Sequence, residues 1–215
     1  MDMNFLTEKA IANTTTGIFT FGDVLSWLPN ATRPSVYAHV QRALKSGEMV
    51  QVKRGLFHLS NSVFPALVST EVLANLIYGP SYVSLESALA YHGWIPEAVH
   101  NCTSVTSGKP KRFDTPHGRF SYVRIKQTPL MAGVLCAQVS DSASFLVATP
   151  LKAIADIVAA RGLDWTSGHP VISSLRIEPE DLESLSSKDF DMLEGVYYSK
   201  RARVFLAGLR KELNK

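Results

Sequence analysis

Over the first sixty residues the apolar positions keep a helical period three times and then switch to alternation. FLTEKAIAN (Phe5–Asn13) brings Phe5, Leu6, Ala10 and Ile11 near one face, with Asn4 or Thr7 available as a cap. FTFGDVLSWL (residues 19–28) sets Phe21, Val24, Leu25 and Leu28 at i, i+3, i+4 and i+7, and Pro29 and Asn30 stop it. A third helix is expected from Thr32 as N-cap, with Pro34 in the first turn, where a missing N–H costs nothing. Its inner face is Val36, Val40, Ala43 and Leu44, and Gly47 supplies the left-handed stop. MVQV then alternates, Lys53-Arg54-Gly55 turns, and LFHL alternates back. That order predicts a β-hairpin with its cations near the tip.

Beyond residue 60 the pattern is mixed. NSVFPALVS breaks at Pro65 and reads as a connection. TEVLANLIYG and SLESALAYHG read as helices, each with a hydroxyl ahead of an acid and a terminal glycine, and GPSYVS between them reads as a tight turn. From Asn101 the period becomes two. CTSVTS, RFSYVRIK, LMAGVLCAQV and FLVA are expected strands, with SGKPKRFDTPHG as a basic loop. TPLKAIADIVAARG returns to helix with Thr149 as cap and Pro150 at the first position; EPEDLESL, DFDMLEGV and KRARVFLAGLRKEL follow. The expected fold class is α+β: an N-terminal winged helix-turn-helix over residues 1–62, then a mixed α+β domain over residues 63–215.

Composition narrows the class. With 46% apolar residues the chain can bury a core, and no apolar run approaches the roughly 18 residues that span a bilayer. The start, MDMNFLTEKA, lacks the cationic and apolar regions of a secretory signal. Cys102 and Cys136 have no CxxC partner and are expected as reduced thiols in a cytoplasmic protein that does not bind membranes.

The net charge of +3 says little, but its distribution is uneven. Residues 105–126 carry 6 cations against Asp114 alone, residues 127–199 hold 4 cations and 10 anions, and residues 200–215 carry 6 cations against Glu212. Such blocks imply separate positive and negative regions, or simply solvated faces. The third helix is more pointed. Ser35, Ala38, Arg42 and Lys45 lie opposite its apolar side, Tyr37, His39 and Gln41 flank them, and Thr32 and Arg33 lead in. No acid falls between Ser35 and Lys45.

A helix of that kind fits a major groove, where Gln41 and Arg42 can meet base edges. Lys53 and Arg54 at the hairpin tip would then reach phosphates or the minor groove. A basic turn also suits any exposed hairpin; the order of capped helix, acid-free face and basic hairpin is what favours double-stranded DNA.

Enzyme signatures are missing. There is no GxSxG, no GxxxxGK[ST], no HExxH and no Cys/His spacing suited to zinc. The six histidines (39, 58, 92, 100, 117 and 169) are scattered, and His92 reads as a helix-end residue. The chain is therefore expected to be no enzyme and to use no cofactor or metal.

Residues 80–125 add a resemblance. PSYVSLESAL, the YHGWIPE corner, TSVTSGKPKRF and the GRFSY strand, with RGLFHL upstream, resemble the AbiEi antitoxin family of type IV abortive-infection toxin–antitoxin systems. The likeness covers most of residues 32–160. It implies an antitoxin that represses its own operon by binding inverted repeats through the winged helix. It also implies a functional link to a nucleotidyltransferase-like toxin without a stable complex, and a monomer in solution that can bind DNA cooperatively. On this reading Leu85, Leu89 and Trp94 are core, and Lys109, Lys111, Arg112 and Arg119 form an accessory nucleic-acid or antitoxicity surface. The alternative is a ligand-responsive winged-helix regulator unrelated to a toxin.

Overall fold

A computed structural model describes residues 3–65, 68–96 and 101–215. Residues 66–67 of the expected connection, Glu97 at the end of the YHGWIPE corner, and His100 lie outside the described residues.

The chain opens with α1 (Phe5–Asn13), β1 (Ile18–Thr20), α2 (Phe21–Trp27), α3 (Arg33–Lys45), β2 (Met49–Lys53) and β3 (Leu56–Leu59). Asn4 caps α1 through its side chain. Of the apolar face expected for α1, Leu6 and Ala10 are buried while Phe5 stays exposed. The three strands form an antiparallel sheet in the order β1-β3-β2.

β1 corrects the expectation of a helix starting at Phe19. Thr20 accepts from the Asp23 N–H, and the Asp23 carboxylate accepts from the Thr20 N–H, which makes a capping box. An N-cap takes extended backbone, so the residue ahead of it is free to pair. Phe19 lies opposite Phe57 in the sheet, with their rings 6.0 Å apart. Leu6, Val24, Val36, Val40, Ala43, Met49, Phe57 and Leu59 share this core. Glu48 ties the unit together: it accepts from the Thr7 hydroxyl and the Asn4 N–H, and these bonds, Thr7 first, hold its pKa below the ordinary value.

The rest comprises α4 (Thr70–Ile77), β4 (Ser81–Val83), α5 (Leu85–Tyr91), β5 (Asn101–Thr106), β6 (Lys111–Thr115), β7 (Gly118–Arg124), β8 (Val134–Ser140) and β9 (Ala143–Ala148). There follow α6 (Pro150–Arg161), α7 (His169–Leu175), α8 (Pro179–Glu183), α9 (Ser187–Asp191) and α10 (Lys200–Glu212). The strands make one mixed sheet in the order β6-β7-β5-β4-β9-β8. The protein is thus α+β.

Two segments read as turn and loop are strands. Ser81–Val83, in the expected GPSYVS turn, pairs antiparallel with β5 and meets β9 at Val83, so three apolar and hydroxyl positions sit fully inside the sheet. Lys111–Thr115, in the expected basic loop, pairs with β7 and forms the sheet's edge. The alternation K-R-F-D-T has one apolar residue, Phe113, too few to register as a strand by period alone.

The centre of the larger core is polar. Lys152 and Asp156, one turn apart on α6, are both wholly buried, 3.8 Å from each other. Lys152 donates to Gln127 Oε1 (2.7 Å), Gln127 Nε2 donates to the Tyr82 hydroxyl (2.6 Å), and Tyr82 donates to Asp156 Oδ2 (2.9 Å). Ser84 also donates to Oδ2, and Tyr197 donates to Oδ1 at 2.7 Å. The ring closes on itself and joins α6 to β4 and to the segments around Gln127 and Tyr197. Burial pushes Asp156 up and Lys152 down, while their mutual attraction opposes both shifts. Removing one member leaves the other charge buried without its partner, which costs about 3–5 kcal/mol. We therefore expect Asp156→Ala to lower unfolding stability by about that amount. The double variant Lys152→Met/Asp156→Leu should lose less than either single variant in denaturant titrations.

Candidate nucleic-acid interface

The expected DNA-contacting residues divide by direction. On α3, Val36, Val40 and Ala43 are buried, so Thr32, Arg33, Tyr37, Gln41, Arg42 and Lys45 are exposed and Ser35 and His39 half-buried. Thr32 occupies the cap position with extended backbone, though its side chain makes no capping bond. Arg42 folds back along the helix, donating to the Ala38 carbonyl and approaching His39 Nδ1 at 3.2 Å. Tyr37 stacks on Phe21 with ring centroids 4.7 Å apart, yet stays 51% exposed. Gln41, Tyr37, Gln51, Arg54 and Gly55 line a groove of 340 Å³ between α3 and the hairpin, with Phe21, Val40, Leu44 and Phe57 as its floor. Arg54 is exposed at the tip, where Gly55 takes the positive φ (+80°) that the turn requires.

Lys53 goes elsewhere. Its ammonium donates to the Ile77 carbonyl at the end of α4 and lies 5.9 Å from the centre of the Phe113 ring. Burial lowers its pKa, and Lys111 nearby lowers it further. It is a fastener between hairpin and sheet rather than an outward cation, so Arg54 alone points outward from the Lys53-Arg54 pair.

The rest of the hairpin is fastened the same way. Val52 and Leu56 belong to the core of the six-stranded sheet, and burying each contributes about 1.5–3 kcal/mol. His58 is buried, with Nδ1 2.6 Å from the Leu59 carbonyl and Nε2 2.6 Å from Nε2 of His117 in the β6–β7 turn. One proton can serve that contact: His58 Nδ1–H donates to the carbonyl and His117 donates to His58 Nε2. Neither histidine stood out as more than scattered in the sequence; their pairing depends on the packing of β3 against a turn 59 residues away.

The accessory surface is also partly rearranged. Lys109 and Arg112 are exposed, and Lys111 holds its ammonium 4.5 Å above the Tyr78 ring. Arg119 pairs with Asp114 across the β6–β7 hairpin at 2.7 Å, which raises its pKa. β2 lies against β6, so this basic edge adjoins the hairpin. Cys102 is buried and its thiol is pushed up to about 12, first by burial and then by Glu71, so it is no nucleophile; Cys136 is exposed. His92 is the helix-end residue expected, 2.8 Å from the Ala148 carbonyl through Nε2. Among the described residues no group of three or more His, Cys, Asp or Glu side chains could hold a metal ion. No helix among them is long and apolar enough to cross a membrane.

Compared with known proteins, the chain matches no family model and no curated protein. Its class stands on the fold: a mixed α+β protein in which a three-helix, three-stranded unit is fastened to the edge of a larger sheet.

The histidine pair makes that fastening sensitive to acid. Burial lowers the pKa of both His58 and His117, so the folded state favours the neutral rings. Their contribution is complete above the ordinary histidine value of about 6.5 and is lost as pH falls below it toward the lowered native values. Thermal unfolding between about pH 8 and pH 5 should show this loss, with a shallower pH dependence in His117→Gln.

Proposed function

We propose that the chain is a DNA-binding autorepressor and antitoxin whose N-terminal unit acts as a winged helix-turn-helix. The observation that carries this reading is the outward side of α3. An acid-free helical face with Arg33, Tyr37, Gln41, Arg42 and Lys45 exposed stands beside the exposed Arg54 of the hairpin, across a shared groove. The element order and the β1-β3-β2 sheet suit that assignment, with α3 in the major groove and the hairpin as wing.

Gln41 and Arg42 are the base-reading candidates, because amide and guanidinium groups match purine edges. Arg42 must leave its bonds to Ala38 and His39 to do so, a small rearrangement of an exposed side chain. Arg33, Lys45 and Arg54 supply phosphate contacts, as does the neighbouring basic edge at Lys109 and Arg112. Lys53 is left out, since its ammonium is already bonded inside the protein. The antitoxin role rests on the resemblance of residues 80–125 and falls to the α+β part, acting on a nucleotidyltransferase-like toxin.

The reading is tested by anisotropy titrations with DNA from upstream of the chain's own gene. Arg54→Ala should weaken binding and reduce the slope of log affinity against log salt by about 1. Arg42→Ala should cost about 1–3 kcal/mol and relax sequence preference, while Lys53→Ala should leave the slope unchanged. Unchanged affinity in an Arg42→Ala/Arg54→Ala double variant contradicts the interface. Repression without protection against the product of the neighbouring gene would leave the ligand-responsive regulator instead.

A further inference from the structure

The segment between α6 and α7 is fixed along α10 at three points. Arg201 Nε donates to Asp164 Oδ1 (2.6 Å), the Thr166 carbonyl sits where a side chain at residue 208 would begin, and the Gly168 N–H donates to Glu212 Oε2 (2.7 Å). Only glycine at 208 allows that approach, so segment and helix keep a set spacing. Between them lies a cavity of 480 Å³, within the about 300–1,000 Å³ usual for small-molecule pockets. Asp164, Trp165 and Thr166 line its loop side; Ser199, Lys200, Arg201 and Val204 line its helix side. The Trp165 ring is braced by Phe205, 6.4 Å away, and stays partly exposed. Lys200 is exposed and, among the described residues, forms no ion pair. The first turn of α10 carries Lys200, Arg201 and Arg203 and no acid. Cations there oppose the helix dipole, so folding stability does not explain them.

We propose that this cavity binds a free mononucleotide, with the base against Trp165 and the phosphates at Lys200. The lining falls into three chemical parts, and a nucleotide has the same three. Trp165 and Val204 offer an apolar wall on which a flat base stacks. The Asp164 carboxylate, already neutralised by Arg201, keeps acceptor capacity for ribose hydroxyls. Lys200, Arg201 and the hydroxyls of Ser199 and Thr166 supply donors for phosphate oxygens. Ser199 Oγ accepts from the Ala202 N–H, so its own proton is free for a ligand. An inorganic anion leaves the Trp165 wall unused, and a neutral aromatic leaves Lys200 unused; the two halves together select the ligand. Because the walls are pinned at residues 201, 208 and 212, little ordering is lost on binding.

The cavity shares no residue with the DNA-facing surface, so this assignment and the repressor reading fail separately. Isothermal titration of the full chain with ADP, adenosine and pyrophosphate, each to about 5 mM, tests it. ADP is expected to bind with a dissociation constant of about 0.1 mM or below, at least about ten-fold tighter than adenosine or pyrophosphate alone. Lys200→Ala should weaken ADP by about ten-fold through loss of a charge-assisted contact. Trp165→Leu should weaken it by about as much through loss of stacking, while Arg54→Ala leaves it unchanged. Trp165 packs on Phe205; if its variant fails to fold, Lys200→Ala, at an exposed position, carries the comparison. Absence of ADP binding overturns the proposal, as does a folded Lys200→Ala protein with wild-type affinity or pyrophosphate that binds as tightly as ADP. A single-stranded oligonucleotide that displaces ADP at lower concentration than ADP itself needs would overturn a free nucleotide as the occupant.

Discussion

The hairpin has one free side, because the other is spent on the sheet. Val52 and Leu56 are buried in the larger core, His58 meets His117, and the Lys53 ammonium is bonded to the carbonyl of Ile77. These contacts differ in kind, being apolar, imidazole–imidazole and cation–carbonyl, but all of them act on one hairpin, at Val52, Lys53, Leu56 and His58. They fix the direction of Arg54 and, through the shared N-terminal core, the direction of α3. A hinge between the two units would have to open this whole seam. The outward face of α3 and the Arg54 tip are therefore carried on a broad packed seam rather than by a tethered module.

The larger unit organises itself around its buried charges. The Lys152–Asp156 circuit joins α6 to β4 and to Tyr197, just ahead of α10, so elements far apart in the chain share one set of hydrogen bonds. Nearer the surface, Arg201 pairs with Asp164 and Arg210 with Asp191. The acidic block of residues 127–199 and the basic tail after it are thus partly each other's counter-charge. Part of the segregation visible along the chain is met by ion pairs within the molecule, as Arg119 with Asp114 also shows in the basic segment of residues 105–126.

What the sequence made legible was local. The spacing of Val36, Val40 and Ala43 and the break at Gly47 located α3, and the Lys53-Arg54-Gly55 turn located the hairpin tip. Thr149, Pro150 and Gly162 bounded α6 in the same way. Strands that lack a periodic signal were not legible. β4 is three residues long and takes its identity from its neighbours, and β6 is nearly all polar because it is an edge. Nor could the chain alone tell Lys53 from Arg54. Side chains alternate across a strand, so two adjacent cations at a turn face opposite ways, and only the position of α4 and Phe113 decides which is inside. The buried circuit was equally silent, since KAIAD at helical spacing reads as an ordinary surface ion pair until the helix is placed inside the core.

The central claim is that α3 and the Arg54 tip together meet a duplex while the inner face of the hairpin stays on the sheet. Amide hydrogen exchange, with and without DNA from upstream of the chain's own gene, addresses it most directly. The account predicts that DNA slows exchange in residues 33–45 and 54–55 and leaves α4 and β4 unchanged. Slowed exchange confined to residues outside the N-terminal unit, with α3 unaffected, would contradict it.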